Sequence, residues 1–199
     1  NSGYLTAGDI KYQDTNGDGQ ITDADKRRLG KSGKPRGQFG INLNMSYKGF
    51  YLSALFQGST KFNMYVAGSL GMQTGQTYGM PVAYDYQTDF WTPDNRDAQY
   101  PRLMANTALN QNNNYASSDF WLINGAYLRM KDFQFGYDFK YSLLKNVSWL
   151  TRCKMGISGQ NIFTISQATK YGMDPEPSDT NYYGYPVERT IALTLNLGF

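Results

Sequence analysis

Apolar and polar residues alternate along five stretches of this 199-residue chain. From Gln38 to Tyr47 the apolar positions are Phe39, Ile41, Leu43, Met45 and Tyr47, separated by Gly40, Asn42, Asn44 and Ser46. A period of two puts each set on its own face of a strand. Lys48-Gly49 reads as a tight turn, after which Phe50, Leu52, Ala54 and Phe56 continue the apolar face on a second strand. Two strands of about ten residues joined by a minimal turn predict a hairpin long enough to cross a bilayer when tilted. From Ala126 to Phe139 the apolar positions change phase: Leu128 and Met130 are even, whereas Phe133, Phe135, Tyr137 and Phe139 are odd. A β-bulge near Lys131-Asp132 is expected there. Between Thr151 and Thr164, Cys153, Met155 and Ile157 oppose Arg152, Lys154, Gly156, Ser158 and Gln160. Pro186 to Phe199 is the cleanest case, with Ile191, Leu193, Leu195, Leu197 and Phe199 against Thr190, Ala192, Thr194, Asn196 and Gly198.

The predicted strands therefore lie at about 36–47, 50–58, 124–139, 150–165 and 187–199. Their connections are short, very long (about 59–123), short, and long (about 166–185). Short turns on one side and long loops on the other is the asymmetry of an outer-membrane barrel, with turns in the periplasm and loops outside. That reading puts the carboxyl terminus in the periplasm and residues 1–34 in an extracellular loop, with 35–199 as barrel strands and their loops. Bacterial single-chain barrels have even strand numbers from about eight upward. Five strands are thus expected to be part of a larger barrel, and Asn1, with neither methionine nor signal peptide, reads as the start of a piece cut from something longer.

Composition agrees with β structure: 17 tyrosines, 11 phenylalanines and 21 glycines, with only 18% charged residues. The mean hydropathy of −0.58 excludes no barrel, because lumen-facing and lipid-facing residues cancel in the average. It does fit the lack of any window resembling the roughly 20 apolar residues of a helical span. The net charge of +3 is small and scattered, so no nucleic-acid partner is read from it. The one cluster, Lys26, Arg27, Arg28, Lys31, Lys34 and Arg36, reads as a solvated face. Cys153 reads as a small apolar residue. Without a histidine, and with only Glu176 and Glu188 as glutamates, histidine-based triads and zinc sites are unavailable and no enzyme is expected.

The sharpest short motif runs from Asp14 to Asp25. Asp14, Asn16 and Asp18 supply oxygens at loop positions one, three and five, Gly19 permits the sharp turn, and Gln20 offers its backbone carbonyl. Ile21 is the apolar anchor and Asp25 closes position twelve, where Asp replaces the usual Glu as in dockerin-like loops. Structural calcium is the expected cofactor, against a turn without an ion. In the first long connection, Asp89 to Asn95 and Tyr100 to Arg102 look like ordered turns, and Trp91 is a candidate for stacking on a ligand or for packing within the loop.

Several of these segments together resemble the carboxyl-terminal part of the SusC/RagA family of TonB-dependent outer-membrane transporters. The resemblance rests on Gly8-Asp-Ile-Lys-Tyr-Gln-Asp-Thr-Asn-Gly-Asp-Gly19, Tyr47-Lys-Gly-Phe-Tyr51, Phe90-Trp-Thr-Pro-Asp-Asn95 and Tyr100-Pro-Arg102. It continues with Ser118-Asp-Phe-Trp-Leu-Ile-Asn-Gly-Ala-Tyr-Leu-Arg-Met-Lys131, Gly159-Gln-Asn-Ile-Phe-Thr164 and Phe199. It implies an all-β, antiparallel transmembrane barrel segment in the outer membrane of a member of the Bacteroidetes, part of a barrel of about 22 strands around a plug. It also implies import of a glycan or peptide nutrient with a SusD-like surface lipoprotein and the TonB complex as partners. The competing reading is a soluble carbohydrate-binding β-sandwich with a calcium loop. A hydrolase using Glu176 and Asp174 ranks third, since the sequence places no second carboxylate set beside their Pro-rich turn.

Overall fold

A computed structural model describes residues 4–30, 33–65, 88–103, 113–176 and 187–199. Pro186, the interior of the first long connection and the far part of the second lie outside the described residues. The chain divides into two compact units. One comprises Asn1–Lys31, Met64–Ile123 and Thr180–Tyr182, so the amino-terminal segment groups with the first long connection. The other comprises Ser32–Asn63, Asn124–Asp179 and Tyr183–Phe199.

The second unit holds five long strands: β1 (Gly37–Tyr47), β2 (Phe50–Thr60), β5 (Tyr127–Asp138), β6 (Arg152–Ser166) and β7 (Thr190–Gly198). They form one antiparallel sheet in the order β1-β2-β5-β6-β7. Two short strands that sequence patterning missed, β3 (Asn63–Tyr65) and β4 (Leu122–Asn124), pair with each other. Three residues each are too few to show a period. The only helical elements among the described residues are single 3₁₀ turns.

Tyr47 pairs with Phe50 across Lys48-Gly49, and both turn residues have positive φ, 47° and 90°. Two left-handed residues make the turn whose twist matches the flanking strands. Glycine takes such a φ without strain, and lysine accepts it here at the first position.

The bulge expected at Lys131-Asp132 is present. Leu55 pairs with Asp132 and Phe56 with Met130, which leaves Lys131 as the extra residue against β2. Across β6 the register also jumps, from Met130–Phe163 to Asp132–Gln160, with Asn161 at φ 51° inside the gap. The jump reverses the phase of β5 and keeps both halves of its apolar set on one face of the sheet.

That face is continuous. Phe39, Ile41, Leu43 and Met45 lie opposite Gly58, Phe56, Ala54 and Leu52 on β2. The set extends through Phe133 and Phe135 to Ile157, and from there to Leu193 and Leu195. Many of these residues are open: Leu193 is 85% exposed, Leu195 64%, Ile41 55% and Met45 52%. A soluble monomer rarely presents so much contiguous apolar surface. A sandwich would need a second sheet packed about 10 Å away, and the only other described strands are the three-residue β3 and β4.

The opposite face is polar, with Asn42, Asn44, Ser53, Gln134, Ser158, Thr194 and Asn196 in register across the strands. Its smoothest part is built around glycine. Gly136 and Gly156 pair directly, and a Cβ on either would stand 2.4 or 2.7 Å from the Tyr51 hydroxyl, so the phenol lies over two bare backbones. Lys154 Nζ sits 5.4 Å from the centre of the same ring, near enough for a cation–π contact. At the turn end of the sheet, the Trp149 and Phe199 rings stack with centroids 5.9 Å apart, and both are largely exposed.

Candidate functional site

The loop singled out as a cation site folds on its own hydrogen bonds. Asp14 accepts from the Gly17 and Gly19 amides, at 2.6 and 2.8 Å, one on each carboxylate oxygen. Asp18 accepts from the Gln20 amide at 2.8 Å and from the Asn16 side-chain amide at 2.9 Å. Gly17 and Gly19 have φ of 78° and 76°, which draws the chain into a coil around these oxygens.

Asp25 closes the loop. It is buried and accepts from the Thr15 amide at 2.9 Å and the Thr22 amide at 2.7 Å. These backbone bonds, from Thr22 first and Thr15 next, hold its carboxyl below the ordinary carboxylate range. Thr22 caps the 3₁₀ turn Asp23–Asp25 in return, through a reciprocal capping box. Among the described residues no three His, Cys, Asp or Glu side chains converge on one point. The donors of this loop are carboxylates, an amide oxygen and a carbonyl.

A second constellation in the same unit escaped sequence patterning. Asp9, with its side chain 2% exposed, accepts from Arg102 Nε at 2.8 Å and Nη2 at 3.2 Å, from the Thr6 amide at 2.9 Å and from Asn114 Nδ2 at 3.0 Å. Burial pushes the Asp9 carboxyl upward, but the Arg102 guanidinium and the Thr6 and Asn114 donors outweigh it and hold the group below its ordinary value. Asn114 is buried. Its Oδ1 accepts from the Ile10 amide at 2.8 Å, and its carbonyl accepts from the Trp121 indole at 2.8 Å. Asn113 adds a bond to the Ile10 carbonyl, and the Tyr12 hydroxyl donates to the Asn113 carbonyl at 2.6 Å. Segments about a hundred positions apart are thereby stitched together, and they include the Gly8, Tyr100 and Ser118 motifs that carried the family resemblance.

Trp91 lies in this unit, in the turn region where Phe90 bridges Tyr100 and Thr92 bridges Asn95. A Cβ on Gly8, whose φ is 89°, would stand 2.4 Å from the indole. The half-buried indole thus packs against the Gly8 backbone within the loop.

In the sheet unit the bulge gathers charge on the polar face. Arg129 lies between Gln57 of β2 and Thr164 of β6. Its guanidinium donates to Glu176 at 2.5 Å, Asp174 at 2.6 Å and Thr164 Oγ1 at 2.9 Å, and its side chain is 3% exposed. Lys131 reaches both Glu176 oxygens, at 2.9 and 2.8 Å, and Gln57 donates to Glu176 at 3.2 Å. Asp174 and Glu176 therefore answer the third sequence reading: the guanidinium joins them and fixed donors engage them. That is an ion-pair network, not an acid and base flanking a scissile bond.

No protein-family model matches the chain. TonB-dependent receptor P3 of Formosa agariphila is 28% identical, over 100% of this chain and 20% of the receptor. TonB-dependent receptor P26 of the same organism is 28% identical over 96% of the chain and 20% of its own length, and P39 is 25% identical over 98% and 19%. The chain spans about 20% of these relatives. Among solved structures it is similar to the RagAB peptide importer in its closed-closed state, with a TM-score of 0.67 and 21% identity over 90% of this chain and 19% of the other. A second structure, of the RagAB peptide transporter, gives 0.64 and 22% over the same shares. Along nearly its whole length the chain is thus similar to about a fifth of three TonB-dependent receptors, and it shares the antiparallel β fold of part of the RagAB structures.

Proposed function

We propose that this chain supplies a section of wall and associated loops to an outer-membrane importer of glycan or peptide nutrients. The importer acts with a SusD-like lipoprotein over its mouth and takes energy from the TonB complex through its plug. The observation that carries this is the two-sided sheet: one unbroken apolar face across five long antiparallel strands, and a polar face behind it. Lipid covers the first, and the lumen and plug meet the second. In this reading the Asp14–Asp25 loop is extracellular and the Trp149–Phe199 end is periplasmic.

The same reading assigns a structural calcium ion to Asp14, Asn16, Asp18, the Gln20 carbonyl and Asp25. The donor set fits a hard cation: both Asp14 oxygens and Asp25 Oδ2 each take one backbone N–H and have a second lone pair to offer, while Asp25 Oδ1 is shared by the Thr15 and Asn16 donors. Calcium would supply charge that ties the two ends of the loop together.

Uptake tests the import reading. Cells carrying the complete transporter are given two isotope-labelled pools, tryptic peptides and oligosaccharides from partial acid hydrolysis, with and without a functional TonB. TonB-dependent accumulation of one pool is the expected result, and accumulation of neither would count against it.

A further inference from the structure

We infer that the segment Ala168–Glu176, which follows β6, is a fixed lining of the inner barrel wall that Arg129 positions, and that it does not act as a moving gate. The inference rests on the transporter reading for which face of the sheet is inner. Arg129 stands on the polar face, while its neighbours Leu128 and Met130 pair with Gly58 and Phe56 on the apolar one. Whatever Arg129 holds is therefore held on the inner side.

Three features mark the segment as wall. The first is electrostatic: Asp174 and Glu176 neutralise Arg129 and Lys131 one for one, and the guanidinium is buried between its partners. Freeing the segment would leave that cation desolvated without a counter-charge. The second is packing. Ala168, Tyr171, Met173 and Pro175 are all buried, an apolar underside of the kind a hinged flap cannot keep while swinging. The third is the backbone. The 3₁₀ turn Ala168–Tyr171 ends at Gly172 with φ 66°, where the Gly172 and Met173 amides bond back to Thr169 and Ala168. Mobile elements are drawn from regions with few buried contacts, and this one has many.

The lining docks beside the bulge. Period two alone puts Lys131 on the face of Arg129, and both reach Glu176; the extra residue turns Asp132 onto that face as well. Arg129 thus acts as a positioning residue for the lumen.

Two measurements on the complete transporter in cells test this, in a Cys153→Ala background that removes the chain's one cysteine. First, Met173→Cys is labelled with a membrane-impermeant maleimide. Slow labelling is expected, rising about tenfold when Arg129→Met is added. Glu176→Gln, which keeps the Arg129–Asp174 pair, should give a smaller rise and serves where Arg129→Met fails to insert. Fast labelling in the parent, or labelling that neither variant raises, would overturn the inference. Second, Gln57→Cys with Glu176→Cys is bridged by a short, reducible bis-thiosulfonate. Uptake of whichever pool the wild type accumulates should fall in the unbridged protein, return on bridging and fall again on reduction. Loss of uptake on bridging would show a segment that must move, and full uptake in both states would show that Arg129 positions nothing needed. If the wild type takes up neither pool, the import reading fails while the labelling still decides the inference.

Discussion

Asp9 concentrates the dependence of the loop unit on one side chain. Donors reach it from three separate stretches, at Thr6, Arg102 and Asn114. Asp9→Asn replaces an ionic acceptor with an amide that must donate where it had accepted, at a cost of about 2 kcal/mol for charged hydrogen bonds of this kind. Hydrogen exchange of the Gly8–Tyr12 amides should accelerate at least tenfold in that variant. The pH dependence follows from the lowered Asp9 value. A depressed folded value contributes stability above the unfolded carboxylate value of about 3.9. Protection of these amides, corrected for intrinsic rates, should therefore hold from neutral pH down to about 4 and fall below it. Loss of protection between pH 7 and 5 would contradict the assignment. Asp14 is the corresponding test of the calcium proposal. Chelation of calcium from the wild type should raise proteolysis within residues 14–25, Asp14→Ala should mimic it, and chelation should add nothing to the variant.

At the scale of elements, period-two alternation was enough to locate all five long strands, because each sets apolar residues on one face and polar residues on the other. The phase flip even located the bulge at Lys131. The ion-pair network beside the bulge was not legible: the partners of Arg129 lie about 45 positions further on, at Asp174 and Glu176, and no local period encodes that pairing. The Asp9 network was hidden for the same reason, although its residues sit in the motifs that carried the family resemblance. The buried Asn114 carries no signal of its own, since it closes a polar run that reads as loop. The turn-rich Asp14–Asp25 loop was legible because all its oxygen donors fall within twelve residues, and the calcium assigned to it is a proposal. The same alternation predicts an asymmetry on β7. Leu195→Lys, on the apolar face opposite Met155, should destabilise the barrel by about 2–4 kcal/mol in lipid, whereas Thr194→Lys on the other face should change it by under about 1 kcal/mol. Urea unfolding in vesicles measures both, and equal costs would contradict the assigned faces.

For the molecule as a whole, the two units carry different kinds of order. The sheet has long-range backbone pairing and a bare apolar face; the loop unit is held by polar side chains reaching between distant segments. Such a division suits the proposed importer, in which the wall would answer to lipid and the loops to cargo and partner. The central claim is that the apolar face of the sheet lies against the bilayer. A spin-label scan along β7, one cysteine at a time from Thr190 to Gly198 in the complete transporter in vesicles, tests it directly. Labels at 191, 193, 195 and 197 should be accessible to oxygen and shielded from a water-soluble nickel chelate, while those at 190, 192, 194 and 196 should show the lower oxygen accessibility of a lipid-free face. A scan with no period of two, or with both sets open to the chelate, would contradict the account.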